Sequence, residues 1–398
     1  MLSKLKLFFN KSFNKQEIIK FQNPYFFGTE IKNIISTIKS KELIGPNNFI
    51  EKCERLLEKQ LVCNNVLLTA SGTDALEMAC LLANFKPGDE VLMPSFNFPS
   101  AATSVLRCGA KPVFININRS DMNLSINNIK KSINKKTKGI IIVHYAGLSA
   151  AMSEIMDFAS SNKLIVIEDA AQAIYSKYKN KYLGTLGHFG ILSFHQTKNV
   201  FCGEGGALLI NHEKDRSRAN IIREKGTNRN DFKKGLVSKY GWVDIGSSFL
   251  PSSLQASFLY AQLSKGFIIN NKRKAIFKKY HDFFTKLTAN YNISIPILDT
   301  NNQYNGHFYW ILVPDKIRSK FLNTAKLNLI ELTTHFEPLH NSVAGKKFGK
   351  SYEDLSVTKL LSKQIIRIPI HTQMTYSEQI FLMNALQKTI KECFNNNN

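Results

Sequence analysis

The chain has 398 residues, with 53 Lys or Arg against 30 Asp or Glu, and therefore carries a formal net charge of +23. Hydrophobic residues make up 43% of the sequence, which is enough to bury a sizeable core and excludes an intrinsically disordered protein. No apolar run approaches the ~18–20 residues that span a bilayer, and the six cysteines and nine histidines form no CxxC or HExxH pair, which argues against a disulfide scaffold and a zinc site.

Residues 1–20 are Lys-rich and amphipathic and are predicted to form a basic N-terminal arm. The apolar stretch in Met1–Phe9 is too short for a signal peptide and is followed by no small-residue cleavage site, so we expect a cytoplasmic protein. The other lysines are spread along the whole chain. This pattern predicts neither a nucleic-acid partner nor stable membrane insertion, although a basic protein can favour an anionic small substrate.

From about residue 65 onwards, short apolar runs alternate with helical stretches. The predicted strands are rich in β-branched residues and are bounded by Gly, Pro or Asn: Val66–Thr69, Glu90–Met93, Pro112–Asn116, Gly139–Val143, Leu164–Ile167, Gly190–Phe194 and Gly206–Ile210. The predicted helices between them include Asp74–Asn84, Phe98–Cys108 and Met152–Asn162. The alternation predicts an α/β fold with a largely parallel sheet covered on both faces, in which ligands bind at the carboxyl ends of the strands.

The pattern changes after about residue 250. A long helical stretch runs from Pro251 towards Ala289 and precedes two further predicted strands, Gly306–Val313 and Ile365–Ile370. We therefore predict a large domain over residues 21–255 and a small C-terminal α/β domain with its linking helix over residues 256–398.

Three of the predicted strands are followed by residues that could take part in binding or catalysis. Ala70–Leu76 contains small residues and opens a helix, so its free backbone N–H groups could hold a phosphate. Asp169 follows the fifth strand, and Lys198 lies in a turn after the sixth, ahead of a glycine-rich turn at Gly203–Gly206. Each feature alone is ambiguous: the first could be an ordinary helix cap, the acid a loop cap and the lysine a surface residue.

The combination is more specific than its parts. Pyridoxal 5'-phosphate requires a phosphate anchor, a lysine that bonds to its aldehyde, and an acid paired with its pyridine nitrogen. A lysine that is partly desolvated near other cations has a lowered pKa and becomes a nucleophile towards aldehydes. The sequence therefore predicts a pyridoxal phosphate site with Lys198 and Asp169 as its catalytic residues.

Six segments, in order and spaced alike, resemble the DegT/StrS family of sugar-nucleotide aminotransferases. They are Ser71–Leu76, Pro87–Val91, Pro94–Phe98, Glu168–Gln172, Ser193–Asn199 and Gly203–Gly206. The similarity runs from about Phe21 to about Leu386. It implies the type I fold of PLP-dependent aminotransferases and a homodimer with active sites at the subunit interface.

The resemblance also implies a role for each matching residue. Lys198 would bond to the cofactor aldehyde and then carry the proton, Asp169 would pair with the pyridinium, and Gln172 would contact the ring's phenolic oxygen. The phosphate would be held by the Gly72 and Thr73 backbone amides and the Ser193 hydroxyl. Phe98 would stack on the cofactor ring, unless it is one of the many core phenylalanines.

Two further positions bear on the sugar site and on the partner subunit. His340, in Glu337–His340, resembles a segment near the sugar site of the family, and it is either a substrate contact or a structural histidine. Many members carry Asn and Arg at the positions of Ser248 and Leu250, and there the Asn reaches the cofactor phosphate of the partner subunit. Ser248 can still donate a hydrogen bond and is kept as a cofactor contact, whereas Leu250 cannot replace Arg.

Three further segments, His144–Gly147, Ile222–Arg229 and Lys239–Ser248, resemble the branch of the family that makes dTDP-4-amino-4,6-dideoxygalactose. The expected reaction transfers the amino group of L-glutamate to C4 of a dTDP-4-keto-6-deoxyhexose and releases 2-oxoglutarate. Cell-envelope polysaccharide synthesis is the expected destination. The alternatives are another keto-sugar nucleotide or amination at C3, and, from a different class, a non-catalytic regulator, which would be expected to lose Lys198 or Asp169.

Overall fold

A computed structural model of the chain describes residues 17–41, 43 and 48–394. The first sixteen residues of the predicted basic arm lie outside the described residues. The described strands are β1 (Val66–Thr69), β2 (Glu90–Pro94), β3 (Lys111–Ile115), β4 (Thr137–Val143), β5 (Ile165–Asp169), β6 (Lys177–Tyr178), β7 (Lys181–Tyr182), β8 (Phe189–Ser193), β9 (Gly206–Ile210), β10 (Asn302–Gln303), β11 (Tyr309–Leu312) and β12 (Ile365–Ile368).

The described α-helices surround these strands. They are α1 (Thr29–Ser40), α2 (Asn48–Leu61), α3 (Gly72–Leu82), α4 (Pro99–Arg107), α5 (Ile126–Ser132), α6 (Met152–Ser161), α7 (Arg216–Arg223), α8 (Arg229–Lys233), α9 (Ser253–Leu263), α10 (Gly266–Leu287), α11 (Asp315–Leu327), α12 (Val343–Phe348), α13 (Ser356–Gln364) and α14 (Tyr376–Phe394).

Seven strands form the central sheet in the order β1-β9-β8-β5-β4-β2-β3. Strand β9 runs antiparallel to both of its neighbours, and the pairs β8–β5, β5–β4, β4–β2 and β2–β3 are parallel. The predicted α/β fold with a mostly parallel sheet is therefore confirmed. The predicted strand boundaries are close to those observed, as in Gly190–Phe194 against β8 (Phe189–Ser193).

The sheet is apolar on both faces because its strands carry apolar residues at nearly every position. In β4, Ile140 and Ile142 join one core cluster, whereas Ile141 between them joins the cluster on the other side. Successive side chains of a strand point to opposite faces, so this division shows two cores with the sheet between them. The carboxyl ends of the parallel strands are left as the place where polar side chains meet.

A third core cluster lies in the C-terminal half. It is built on the antiparallel pair β11–β12 together with residues of α10, α11 and α14. Helix α9 packs against α1 and α2, and its Ala256, Leu259 and Leu263 belong to the first cluster, on one face of the central sheet. The division into domains at residues 255 and 256 stays a prediction.

Across the part of the chain that the structure describes, no helix is both long and apolar enough to cross a membrane. All six cysteines are free thiols.

Candidate active site

A cavity of about 510 Å³ opens at the carboxyl ends of the parallel strands. Its wall brings together residues that are far apart in the sequence, because β1, β5 and β8 end at the same edge of the sheet. The predicted site residues that line it are Gly72, Thr73, Phe98, Asp169, Gln172, Ser193 and Lys198. The edge at which the sequence predicts the chemistry is thus the edge that holds the cavity.

One end of the cavity is formed by the start of α3. Ser71 caps this helix by accepting a hydrogen bond from the Asp74 N–H, and the first N–H groups of a helix have no acceptor within it. The backbone here is packed closely against the neighbouring strands. A Cβ atom at Gly72 would lie 2.9 Å from the Ser193 Cβ, and one at Gly206 would lie 2.3 Å from the Ser71 carbonyl oxygen. The close packing requires glycine at both positions, and the first N–H groups of α3 make this end of the cavity a candidate anion-binding cradle built from backbone.

Asp169 ends β5 and lines the cavity with its buried carboxyl group. Within the described residues, its carboxylate accepts one hydrogen bond, at 3.1 Å from the Ala171 N–H. Burial raises the pKa of Asp169, while this hydrogen bond and the nearby Lys198 act in the opposite direction. A buried carboxylate with so few partners is suited to pair with a cation in the cavity.

The preceding acid, Glu168, faces the other way and has a structural role. Its carboxylate lies 2.9 Å from the His144 Nε2 and accepts hydrogen bonds from the Gly184, Leu186 and Gly187 N–H groups. These contacts fix the end of β5 and the loop before β8. Since neighbouring strand residues alternate in direction, fixing Glu168 also fixes the direction of Asp169.

Lys198 lies in the turn after β8, where its N–H donates to the His195 carbonyl at 2.9 Å. Burial lowers the pKa of its ammonium group to about 8, Asp169 opposes this shift, and Arg367 adds to it. A substantial fraction of the amine is therefore neutral near physiological pH, as a nucleophilic lysine requires.

Gln172 and Phe98 complete the predicted cofactor contacts. The Gln172 Oε1 accepts a hydrogen bond of 2.8 Å from the Ala146 N–H, which fixes the side chain beside the cavity. The Phe98 ring is 60% exposed and lies 6.2 Å from the Phe336 ring across the opening. Phe98 is therefore not a core phenylalanine of this chain, and its face is available to a planar ligand.

Several cavity residues lie outside the sequence prediction. Besides His195 of the segment Ser193–Asn199, the wall contains two arginines and three further histidines: Arg273, Arg367, His307, His335 and His371. Burial is the first cause of the lowered pKa of His307, His335 and His371, and the nearby cationic groups add to it. The only sequence signal for Arg367 is its position inside the apolar run Ile365–Ile370, and the others follow no recognisable motif.

Two predicted residues lie outside the wall of this cavity. The His340 Nδ1 is 2.6 Å from the Ser95 Oγ, and burial lowers the pKa of the imidazole. Ser248 is exposed in the segment between α8 and α9. The substrate role of His340 and the cofactor role of Ser248 stay predictions, and the second requires another copy of the chain.

The residues present fit pyridoxal phosphate. The backbone cradle at Gly72 suits a phosphate, Asp169 suits a pyridinium, and Lys198 suits an aldehyde. In addition, the Asn97 Nδ2 is buried beside the cavity and has no hydrogen-bond partner among the described residues. A buried donor without an acceptor is costly unless a ligand supplies one.

Comparison with known proteins gives a consistent result. The model of the DegT/DnrJ/EryC1/StrS aminotransferase family matches residues 27–387. An uncharacterised protein of Methanocaldococcus jannaschii is 31% identical over 91% of this chain and 95% of its own length. GDP-perosamine synthase of Escherichia coli O157:H7 is 25% identical over 92% of this chain and 96% of its own length.

Among solved structures, Helicobacter pylori PseC, an aminotransferase involved in the biosynthesis of pseudoaminic acid, superposes with a TM-score of 0.85. The sequence identity is 23%, and the match covers 95% of this chain and all of that one. This likeness supports the fold described above.

Proposed function

The chain belongs to the DegT/DnrJ/EryC1/StrS aminotransferase family, and on that premise we propose that it transfers an amino group from L-glutamate to a keto-sugar carried by a nucleotide. It is a PLP-dependent transaminase, with pyridoxal phosphate as its expected cofactor. The observation that carries the proposal is the placement of Lys198, Asp169 and the Gly72 cradle around one cavity.

The chain's own residues have separable tasks in this reaction. When bound, the cofactor would act as an electron sink for the carbon that exchanges its amino group. Asp169 would keep the pyridine nitrogen protonated, because a carboxylate stabilises a neighbouring cation. Lys198 would bind the aldehyde carbon and later move a proton at its Nζ, which a pKa of about 8 permits.

The charge of the cavity supports an anionic substrate. Lys198, Arg273 and Arg367 line it against the two carboxylates of Asp169 and Glu204, and the whole chain carries +23. A nucleotide diphosphate and a dicarboxylate amino donor both match this excess of positive charge. GDP-perosamine synthase, one of the relatives, is named for a nucleotide sugar.

Within this class we favour a dTDP-4-keto-6-deoxyhexose aminated at C4, giving dTDP-4-amino-4,6-dideoxygalactose and 2-oxoglutarate. The support is the resemblance of His144–Gly147 and Lys239–Ser248 to that branch of the family. Cell-envelope polysaccharide synthesis in the cytoplasm is the setting that this product suggests.

The proposed enzyme is a homodimer with shared active sites. In the segment from α8 to α9, exposed apolar residues are concentrated at Phe232, Leu236, Tyr240, Trp242, Val243 and Ile245, and Trp242 is 84% exposed. The face of α1 adds Ile31, Ile35 and Ile38. A concentration of exposed apolar residues of this kind is typical of an interface, and Ser248 lies in the same segment as Trp242.

The direct test incubates the purified protein with pyridoxal phosphate, 15N-labelled L-glutamate and a panel of keto-sugar nucleotides. The panel contains dTDP- and GDP-linked 4-keto-6-deoxyhexoses and a 3-keto isomer. Mass spectrometry should find 15N in the dTDP-linked 4-amino sugar, and K198A should give none. Transfer only to a GDP-linked or 3-keto sugar would correct the acceptor, and transfer to none of them would contradict the proposal.

A further inference from the structure

Arg367 lies on the cavity wall, and its guanidinium is held in one orientation. The Nε and Nη2 atoms donate to the Thr334 carbonyl oxygen at 3.1 and 2.9 Å. The guanidinium also packs on two aromatic rings, at 4.6 Å from the centroid of Phe21 and 5.2 Å from that of Phe308. Strand β12 supplies the backbone position, because Arg367 pairs with Trp310 of β11.

Arg367 has no acidic partner in the part of the chain that the structure describes. No carboxylate of the described residues lies within ion-pair distance of Arg367. A guanidinium has five N–H groups, and those directed at Thr334 leave others unused. A half-buried cation without an acid partner is expensive, whereas an anionic ligand that arrives in the cavity would relieve that cost.

The other cavity arginine differs in this respect. Arg273 is buried, and its guanidinium donates to two carbonyl oxygens, those of Gly306 and His307, at 3.0 and 2.5 Å. These bonds tie α10 to the segment before β11. Arg273 therefore has a clear structural task, and Arg367 is the better candidate for binding a ligand.

Two anions enter the cavity under the proposed function, on which this step rests. The amino donor carries an α-carboxylate on the same carbon as the amino group that must reach Lys198. The nucleotide diphosphate is separated from the aminated carbon by the width of the sugar ring. Arg367 shares the cavity wall with Lys198, and two rings pack against its guanidinium, so its surroundings suit the smaller and nearer anion.

We propose that Arg367 binds the α-carboxylate of the amino donor. Planar guanidinium–carboxylate pairing fixes both distance and orientation, which would direct the donor's amino group at the cofactor. Arg367 then helps to select the amino donor and does not bind the nucleotide.

The test separates the two half-reactions in the cofactor-loaded, full-length protein. In the first titration, L-glutamate is added and the loss of the visible cofactor band is followed. In the second, the keto-sugar nucleotide is added and the return of the band is followed. In R367Q the half-saturating glutamate concentration should rise by about tenfold or more, as expected for loss of a charged hydrogen bond. The half-saturating keto-sugar concentration should change by less than about twofold. R367K should lie between R367Q and the wild type.

A binding measurement without turnover accompanies the kinetics. Calorimetry with glutarate, an inert dicarboxylate, should show weaker binding to R367Q by a similar factor. R318Q is the matched control: Arg318 is also half-buried and donates to a carbonyl, that of Ser362, but lies outside the cavity wall. R318Q should leave both half-reactions and glutarate binding unchanged.

Three results would overturn the inference. They are an unchanged glutamate response in R367Q, an equal loss in both half-reactions, or a loss confined to the keto-sugar nucleotide, which would assign Arg367 to the diphosphate. A cofactor band of the wild-type protein that does not change when glutamate is added would instead count against the proposed function. The two failures are therefore distinguishable.

Discussion

At the scale of single residues, the site depends on the contrast between Asp169 and Glu168. Both acids are buried at the end of β5, but Glu168 has four hydrogen-bond partners and Asp169 has one among the described residues. The fully satisfied acid holds the structure, and the poorly satisfied one remains available to a ligand. Lys198, half-buried in the same cavity wall and with a lowered pKa, completes the reactive pair.

Replacing Asp169 should weaken cofactor binding more than it weakens the fold. D169N removes the charge that pairs with the pyridinium, and a broken buried pair costs ~3–5 kcal/mol. Titration of the cofactor-free protein, followed by absorbance, should show this loss, whereas the urea midpoint should hardly change. E204Q is the control, because Glu204 also lines the cavity but its side chain is 63% exposed. Equal cofactor affinity in D169N and the wild type would contradict the pairing.

The lowered pKa of Lys198 predicts how aldehyde capture depends on pH. Only the neutral amine attacks an aldehyde, so the capture rate of the cofactor-free protein should rise with pH and reach half its maximum near pH 8, the pKa of Lys198. An ordinary lysine would give a midpoint near ~10.4. Asp169 raises this pKa, so D169N should move the midpoint to lower pH. Stopped-flow absorbance measures the rates, and a midpoint near the ordinary value would refute the assignment.

At the scale of elements, the site lies at one edge of the central sheet, where hydrogen bonds connect the loops that follow separate strands. Glu168 joins the end of β5 to the loop before β8, and Asn305 joins the segment before β11 to residues 172 and 174 through their carbonyl oxygens. These connections hold Asp169, Gln172 and Lys198 in one wall.

Removing the Glu168 side chain should therefore destabilise this edge of the sheet. E168A would leave three N–H groups and His144 without their acceptor in a buried place, and we expect a loss of ~3–5 kcal/mol in the free energy of unfolding. Urea denaturation of the cofactor-free protein measures it. E154A is the control, since Glu154 lies on α6 away from the cavity wall. A loss no larger than that of the control would show that Glu168 does not organise this edge.

Much of this element-level picture can be predicted from sequence. The β-branched runs predict the strands of the central sheet, because their local pattern is sufficient. The strand-end positions of Asp169 and Lys198 predict that they meet. The opposite directions of Glu168 and Asp169 could also be expected from strand alternation. By contrast, Arg273, Arg367 and the histidines 307, 335 and 371 come from the C-terminal half, and only tertiary packing brings them to the sheet edge. The Ser95–His340 contact is likewise long-range and leaves no local pattern.

At the scale of the whole molecule, the apolar surface is distributed unevenly. Exposed apolar residues are concentrated between α8 and α9 and along α1, although the chain carries a net charge of +23. Isolated exposed apolar side chains are normal, but a contiguous set is typical of an interface. This surface would bring Ser248 of one copy near the other copy's site in the proposed homodimer.

The dimer predicts that a charge at Trp242 separates the subunits. W242E places a carboxylate in the centre of the proposed interface, so sedimentation should show a shift from dimer to monomer at micromolar concentration. L327E is the control, because Leu327 is 83% exposed at the end of α11 and belongs to neither of the two apolar segments. Loss of cofactor affinity in W242E would follow if Ser248 acts across the interface. A wild-type monomer, or a W242E dimer of unchanged stability, would contradict this arrangement.

We propose that Lys198, Asp169 and the Gly72 cradle form a working transaminase site. The most direct measurement is the visible absorption spectrum of the purified protein with pyridoxal phosphate, before and after L-glutamate. We expect a yellow band that disappears with glutamate, returns with the correct keto-sugar nucleotide, and is absent in K198A. A protein that stays colourless in the presence of pyridoxal phosphate would contradict it.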